Sequence, residues 1–179
     1  MVVILLVAIT GLGSTDMAAR PTREYDLKAV FLYNLASFVD WPAEAFDDAD
    51  TPFVIGVLGD DPFGEVLDAV VANEYLGKRP IVARRFRRAE DFSRCHVLFV
   101  SDSESGRVQD LLKRLRGLPV LTVGDTPDFV RSGGMVGFGR RGEHLELFVN
   151  GPAVKSSQLS VSSKLLEVAR VIDPQVVQP

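Results

Sequence analysis

The sequence predicts an α/β fold: a single three-layer domain with a mostly parallel sheet flanked by helices, completed by a C-terminal β-hairpin and helix. Three observations carry that reading. Short continuous apolar runs, the pattern of strands buried on both faces, recur along the chain. Between them lie stretches whose apolar residues fall at steps of three and four, the spacing of one helical face. After Asp128 the pattern changes to two strand-like runs joined by a polar, glycine-bearing turn. Alternation of strand and helix implies parallel strands with right-handed crossovers.

The N-terminus opens with Val2 to Ile9, VVILLVAI, followed by Thr10, Gly11, Leu12 and Gly13. This run is shorter than the roughly 20 apolar residues that span a bilayer and fits the apolar core of a secretory signal. Residues 1–19 are therefore read as an export signal with Ala19 at the cleavage position, and residues 20–179 as the domain. No Lys or Arg precedes the run, and Met17 stands where a small residue is expected. The competing reading is a buried N-terminal strand.

Thr22 suits a helix N-cap, and Glu24 and Asp26 then sit in a first turn that favours negative charge. Leu27, Val30, Phe31, Leu35 and Phe38 share one helical face, with Asn34 in the middle of it. Trp41-Pro42 ends that helix, because the residue before a proline disfavours the helical region. Asp47 to Pro52 reads as an acidic turn. FVIGVL, Phe53 to Leu58, is the first buried strand. Asp61 with Pro62 suits a cap and first position of a second helix, whose stripe is Phe63, Val66, Leu67, Val70 and Val71. Pro80-Ile81-Val82 marks a second strand and His96 to Val100 a third. Ser101-Asp102-Ser103-Glu104 has capping-box spacing before the face Val108, Leu111, Leu112, Leu115. Pro119 to Val123 is the fourth strand. Gly133 to Phe138 and His144 to Val149 form the hairpin, joined by Gly139 to Glu143. A last helix carries Val161, Leu165, Val168, Ala169 and Ile172, with Pro174 beyond it.

The formal charge of −4 argues against a nucleic-acid binder, which needs a basic face to displace counterions. A lone cysteine, Cys95, excludes an intrachain disulfide and any multi-thiolate metal site. Gly56-Val57-Leu58-Gly59 with Gly64 is neither GxGxxG nor a phosphate loop, and Asp60 and Asp61 put negative charge where a phosphate would sit. Cys95 and His96 are neighbours on a strand, so they point to opposite faces and do not act on each other. Ser157, Ser160, Ser162 and Ser163 with Lys164 miss the Ser-x-x-Lys spacing, since Val161 stands three before Lys164. They read instead as helix-start caps. RRFRR, Arg84 to Arg88, reads as a solvated edge, with an acidic partner or anionic lipid as the alternative. Asp47, Asp48 and Asp50 lack the Gly and Glu of a calcium loop. Asn34 and Asn150 each pose one choice: a tie to neighbouring backbone or the lining of a pocket. No metal, cofactor or catalytic constellation is expected.

Lys28-Ala29-Val30-Phe31-Leu32-Tyr33-Asn34-Leu35-Ala36 with Phe38, Trp41 and Pro42 resembles the opening signature of the YfiR family. The resemblance continues through Ile55 to Gly59, Asp61 to Gly64, Cys95 to Ser101, Pro119 to Val123, Gly133 to Val136, Phe148-Val149-Asn150, Leu159 and Ser163 to Leu166. It runs in order from Tyr25 to Val171. It implies a non-enzymatic, exported α/β protein. Such a protein binds the periplasmic sensing domain of an inner-membrane diguanylate cyclase and represses it, lowering cyclic-di-GMP and biofilm formation. An outer-membrane lipoprotein that sequesters the repressor is the second implied partner. The matching signature positions are Asn34, Trp41, Asn150, Ser163 and Lys164, read as structural or partner-facing. Disulfide-bonded members carry additional cysteines, whereas Cys95 stands alone here. The alternative is a periplasmic small-ligand-binding module acting on another signalling partner. Its crevice would lie beyond the carboxyl ends of the strands, rimmed by Gly59, Asp60, Ser101, Asp102 and Gly124. A homodimer through an exposed helix face is compatible with either reading.

Overall fold

The structure, a computed structural model, describes residues 19–91 and 94–174. The expected export signal lies outside the described residues, apart from Ala19.

Helix α1 (Ala19–Phe38) leads through β1 (Val39–Asp40) to β2 (Phe53–Leu58), α2 (Glu65–Val71), β3 (Tyr75–Leu76) and β4 (Arg79–Phe86). Next come β5 (Val97–Val100), α3 (Val108–Leu115), β6 (Leu121–Gly124) and α4 (Pro127–Arg131). The chain closes with β7 (Val136–Arg141), β8 (His144–Asn150), α5 (Gly151–Lys155), β9 (Ser160–Val161), α6 (Ser163–Val168) and β10 (Ala169–Ile172). The main sheet has the order β10-β8-β7-β6-β5-β2-β4-β3. Strands β4, β2, β5, β6 and β7 run parallel, β3 and β8 are antiparallel to their inner neighbours, and β10 runs parallel to β8. The short pair β1 and β9 forms a separate antiparallel ribbon.

Side-chain alternation produces the three layers. Phe53, Ile55 and Val57 of β2, Val97 and Phe99 of β5, and Leu121 and Val123 of β6 pack on one side with Leu32 and Leu35 of α1 and Leu67 and Val71 of α2. Val54, Leu58, Leu98 and Val100 point the other way, onto Val108, Leu111 and Leu115 of α3 and Phe129 of α4. The expected fold class is the observed one, and the strands read from apolar runs fall where they were expected.

Several local expectations are corrected. Helix α1 already runs at Ala19, so Thr22 lies inside it rather than capping it. Its buried face is also rotated from the expected stripe. Lys28, Ala29, Leu32, Leu35 and Ala36 are buried, while Leu27 and Val30 are 45% and 42% exposed. The two alanines let the helix lie close to the sheet, which a count of large apolar residues undervalues. Asp61 does not cap α2. Its Oδ1 accepts the Phe63 N–H at 2.8 Å in a local turn, and the helix starts three residues later, after Gly64. Ser101 makes no side-chain cap bond, so no capping box forms, and Glu104 is buried instead. The hairpin turn is tighter than expected: Arg141 pairs with His144 around Gly142 and Glu143.

The last helix is the largest change. Only 163–168 is helical; Ala169–Ile172 is a strand whose residues pair in parallel with Leu147–Asn150. A sheet edge offering unpaired backbone groups outweighs the weak helical spacing of this stretch. The expected serine cap is present, with Ser162 Oγ accepting the Leu165 N–H at 3.3 Å.

Candidate functional site

The parallel strands bring the ends of β2, β5 and β6 to one rim. The chain leaves β2 for β4 on one side, and β5 lies on the other, so a ligand crevice belongs between β2 and β5 by the switch-point rule. That gap is packed. Gly59 sits at φ +88°, and a Cβ there would lie 2.4 Å from Ser103 Oγ. Ser103 Oγ also accepts the Asp60 N–H at 2.9 Å. The open space is one strand further along, a cavity of about 230 Å³ lined by Ser101, Asp102, Ser105, Asp125, Thr126 and Asp128. Of the five rim residues, the structure brings Ser101 and Asp102 to this cavity and leaves Gly59, Asp60 and Gly124 outside its lining. Gly124 serves packing, since a Cβ there would lie 2.1 Å from the Phe129 ring.

Beside this cavity lies a buried charged group centred on Lys28. Lys28 is 3% exposed, with its Nζ 2.6 Å from Asp125 and 2.7 Å from Glu24. Tyr25 donates its hydroxyl to the other Asp125 oxygen at 2.6 Å, and Arg140 on β7 reaches Glu24 at 2.9 Å. Lys28 also lies over the Tyr25 ring at 4.6 Å. Burial, and then the bond to Asp125, push the Tyr25 phenol well above its ordinary range. Charges alternate along this chain of contacts, which is how a buried ammonium is kept charged at tolerable cost. The network fixes the first turns of α1 to the ends of β6 and β7. The one sequence signal was a lysine among the alanines and leucines of a core-facing helix, three residues after a tyrosine.

The signature positions divide by environment. Asn150 is buried: its Nδ2 donates to Val130 O at 3.2 Å and its Oδ1 accepts the Ala153 N–H at 2.9 Å, capping α5. Trp41 donates its indole N–H to Ala36 O at 3.0 Å, closing the end of α1, and stands edge-on to Phe53. Asn34 is half-buried and makes no side-chain hydrogen bond among the described residues. Ser163 and Lys164 are exposed on α6. The structure does not gather these five into one site.

Cys95 and His96 point into opposite layers, as alternation requires. His96 is stacked between Phe46 and Phe53, each ring centroid 4.6 Å away. Its Nδ1 accepts the Val54 N–H at 2.9 Å, which leaves the proton on Nε2 to donate to Ala45 O at 3.1 Å. Burial lowers its pKa to about 4, so it is a neutral structural imidazole. Cys95 is 1% exposed, and burial pushes its thiol far above the ordinary range, so it is inert as a thiolate nucleophile.

At the opposite end of the sheet, about 480 Å³ of open space lies between α3 and α5, over Thr122 and Met135. Among the described residues no helix is long and apolar enough to cross a membrane, and no group of three or more His, Cys, Asp or Glu could hold a metal ion.

Residues 25–170 match the YfiR/HmsC-like family. No curated protein matches the chain. The match reaches from Tyr25 in the ion network to Arg170 on the edge strand, across every layer of the domain, and the chain belongs to the YfiR/HmsC-like family.

Proposed function

We propose that this chain is a non-enzymatic periplasmic regulator in diguanylate cyclase signalling. It binds the periplasmic sensing domain of an inner-membrane cyclase and represses it, so that cyclic-di-GMP falls. The observation that carries the reading is family membership across residues 25–170. The state of the reactive side chains supports it. The thiol and the imidazole that stand side by side in the sequence are both locked into packing, one protonated and one neutral. The buried Lys28 is consumed by two carboxylates. In this reading the rigid sheet presents a surface, and an outer-membrane lipoprotein that covers the same surface would release the cyclase.

Export is the test. A strain deleted for the gene is complemented with the full chain or with a chain lacking residues 1–19. Both products must be shown to be folded and present at equal levels. The reading requires that only the full chain lowers cyclic-di-GMP. Equal repression by the truncated, cytoplasmic chain would remove the periplasmic mechanism.

A further inference from the structure

The space between α3 and α5 has a chemistry of its own. It lies at the amino-terminal side of the parallel strands, away from the Lys28 network: Thr122 is the second residue of β6, Met135 precedes β7 and Asn150 ends the antiparallel β8. Its volume of about 480 Å³ falls within the range of small-molecule sites. In a chain of net charge −4, its lining among the described residues holds Lys113 and Arg116 and no carboxylate. Lys113 has a loose exposed pairing with Asp110 at 3.3 Å. The Arg116 guanidinium has no partner among the described residues.

The walls are apolar, from Leu112, Leu115 and Met135. The floor carries Thr122, which is 1% exposed. Its hydroxyl oxygen accepts the Met135 N–H at 3.1 Å, which holds the group at the floor.

We infer that this cavity binds a small organic anion with an apolar body and a carboxylate head. The guanidinium of Arg116 matches a carboxylate with paired N–H donors, and Lys113 adds charge at the mouth. The apolar walls take the body, which runs down towards Thr122 on the floor. The inference rests on the cavity and is independent of the cyclase reading, because its test uses purified chain and no cyclase.

The probe is octanoate, titrated into the ¹⁵N-labelled full domain and followed by amide NMR, with octanol as the uncharged control. Saturable shifts centred on Gly117, Gly133, Met135 and Ser156 are expected. Arg116→Gln should weaken octanoate about tenfold or more, the loss of one charge-assisted contact. Ala153→Leu, which fills the cavity from α5 with a good helix former, should abolish the shifts while the rest of the spectrum is retained. The inference is overturned if neither octanoate nor benzoate gives saturable shifts up to about 10 mM, beyond the millimolar range of weak binding. It is equally overturned if octanol binds as well as octanoate, if the shifts centre elsewhere, or if Arg116→Gln leaves affinity unchanged.

Discussion

His96 and Lys28 are the polar residues whose surroundings constrain them most, and they respond to perturbation in opposite ways. His96 holds its place as a neutral ring, with one nitrogen accepting and one donating between two phenyl faces. Its folded pKa of about 4 lies below the value near 6.5 of an unfolded histidine. Between those values the unfolded chain binds a proton that the folded chain refuses, so stability falls as pH drops through that window. His96→Gln keeps one donor and one acceptor but does not titrate. Melting temperatures at pH 7 and pH 5 should therefore fall more in the parent than in His96→Gln; parallel falls would contradict the account. Lys28 depends on charge instead. Lys28→Met keeps the stem and removes the ammonium, leaving Asp125 and Glu24 facing each other in a partly buried site. Urea unfolding at pH 7 should show a loss of about 3–5 kcal/mol, the usual consequence of removing one member of a buried pair. A loss below about 1 kcal/mol would place the network in the class of surface pairs.

The elements that were legible in the sequence are those whose environment is uniform. Strands β2 and β5 are buried on both faces, so each is a continuous apolar run, and β6 departs from that pattern at Thr122. Helix α1 was legible as a helix but not in its orientation. Its core face contains Lys28, whose burial depends on Asp125, 97 positions away, and no local pattern reports that contact. Strand β10 carries helical spacing in its sequence, and the pairing with β8 that makes it a strand is equally non-local. Of the site, Asn150 was legible as a choice between a tie and a pocket, and it both caps α5 and lines the α3–α5 cavity. The rim was legible from topology alone, whereas its closure by Ser103 was not. Packing between elements yields the sharpest prediction at this scale. Phe129 seats α4 on β6 only because position 124 has no side chain. Gly124→Ala should cost about 1–3 kcal/mol by overpacking, measured by urea unfolding. Adding Phe129→Leu should recover part of that loss, and independent, additive effects would show that the two residues do not share this contact.

At the scale of the whole molecule, the ion network ties α1, the stacked imidazole ties the Ala45–Phe46 turn, and Asn150 ties α4 and α5 to one sheet. The result is a body in which Cys95, His96 and Lys28 are committed to structure. Such a body suits regulation by binding, in which a fixed surface is offered to a partner and withdrawn. Regulation of this kind is read in a partner's output, cellular cyclic-di-GMP, measured in a strain deleted for this gene with and without the gene restored. Deletion is expected to raise it, and the restored gene to reverse the rise. An unchanged level in the deleted strain, under conditions where the chain is normally produced, would contradict repression of a cyclase.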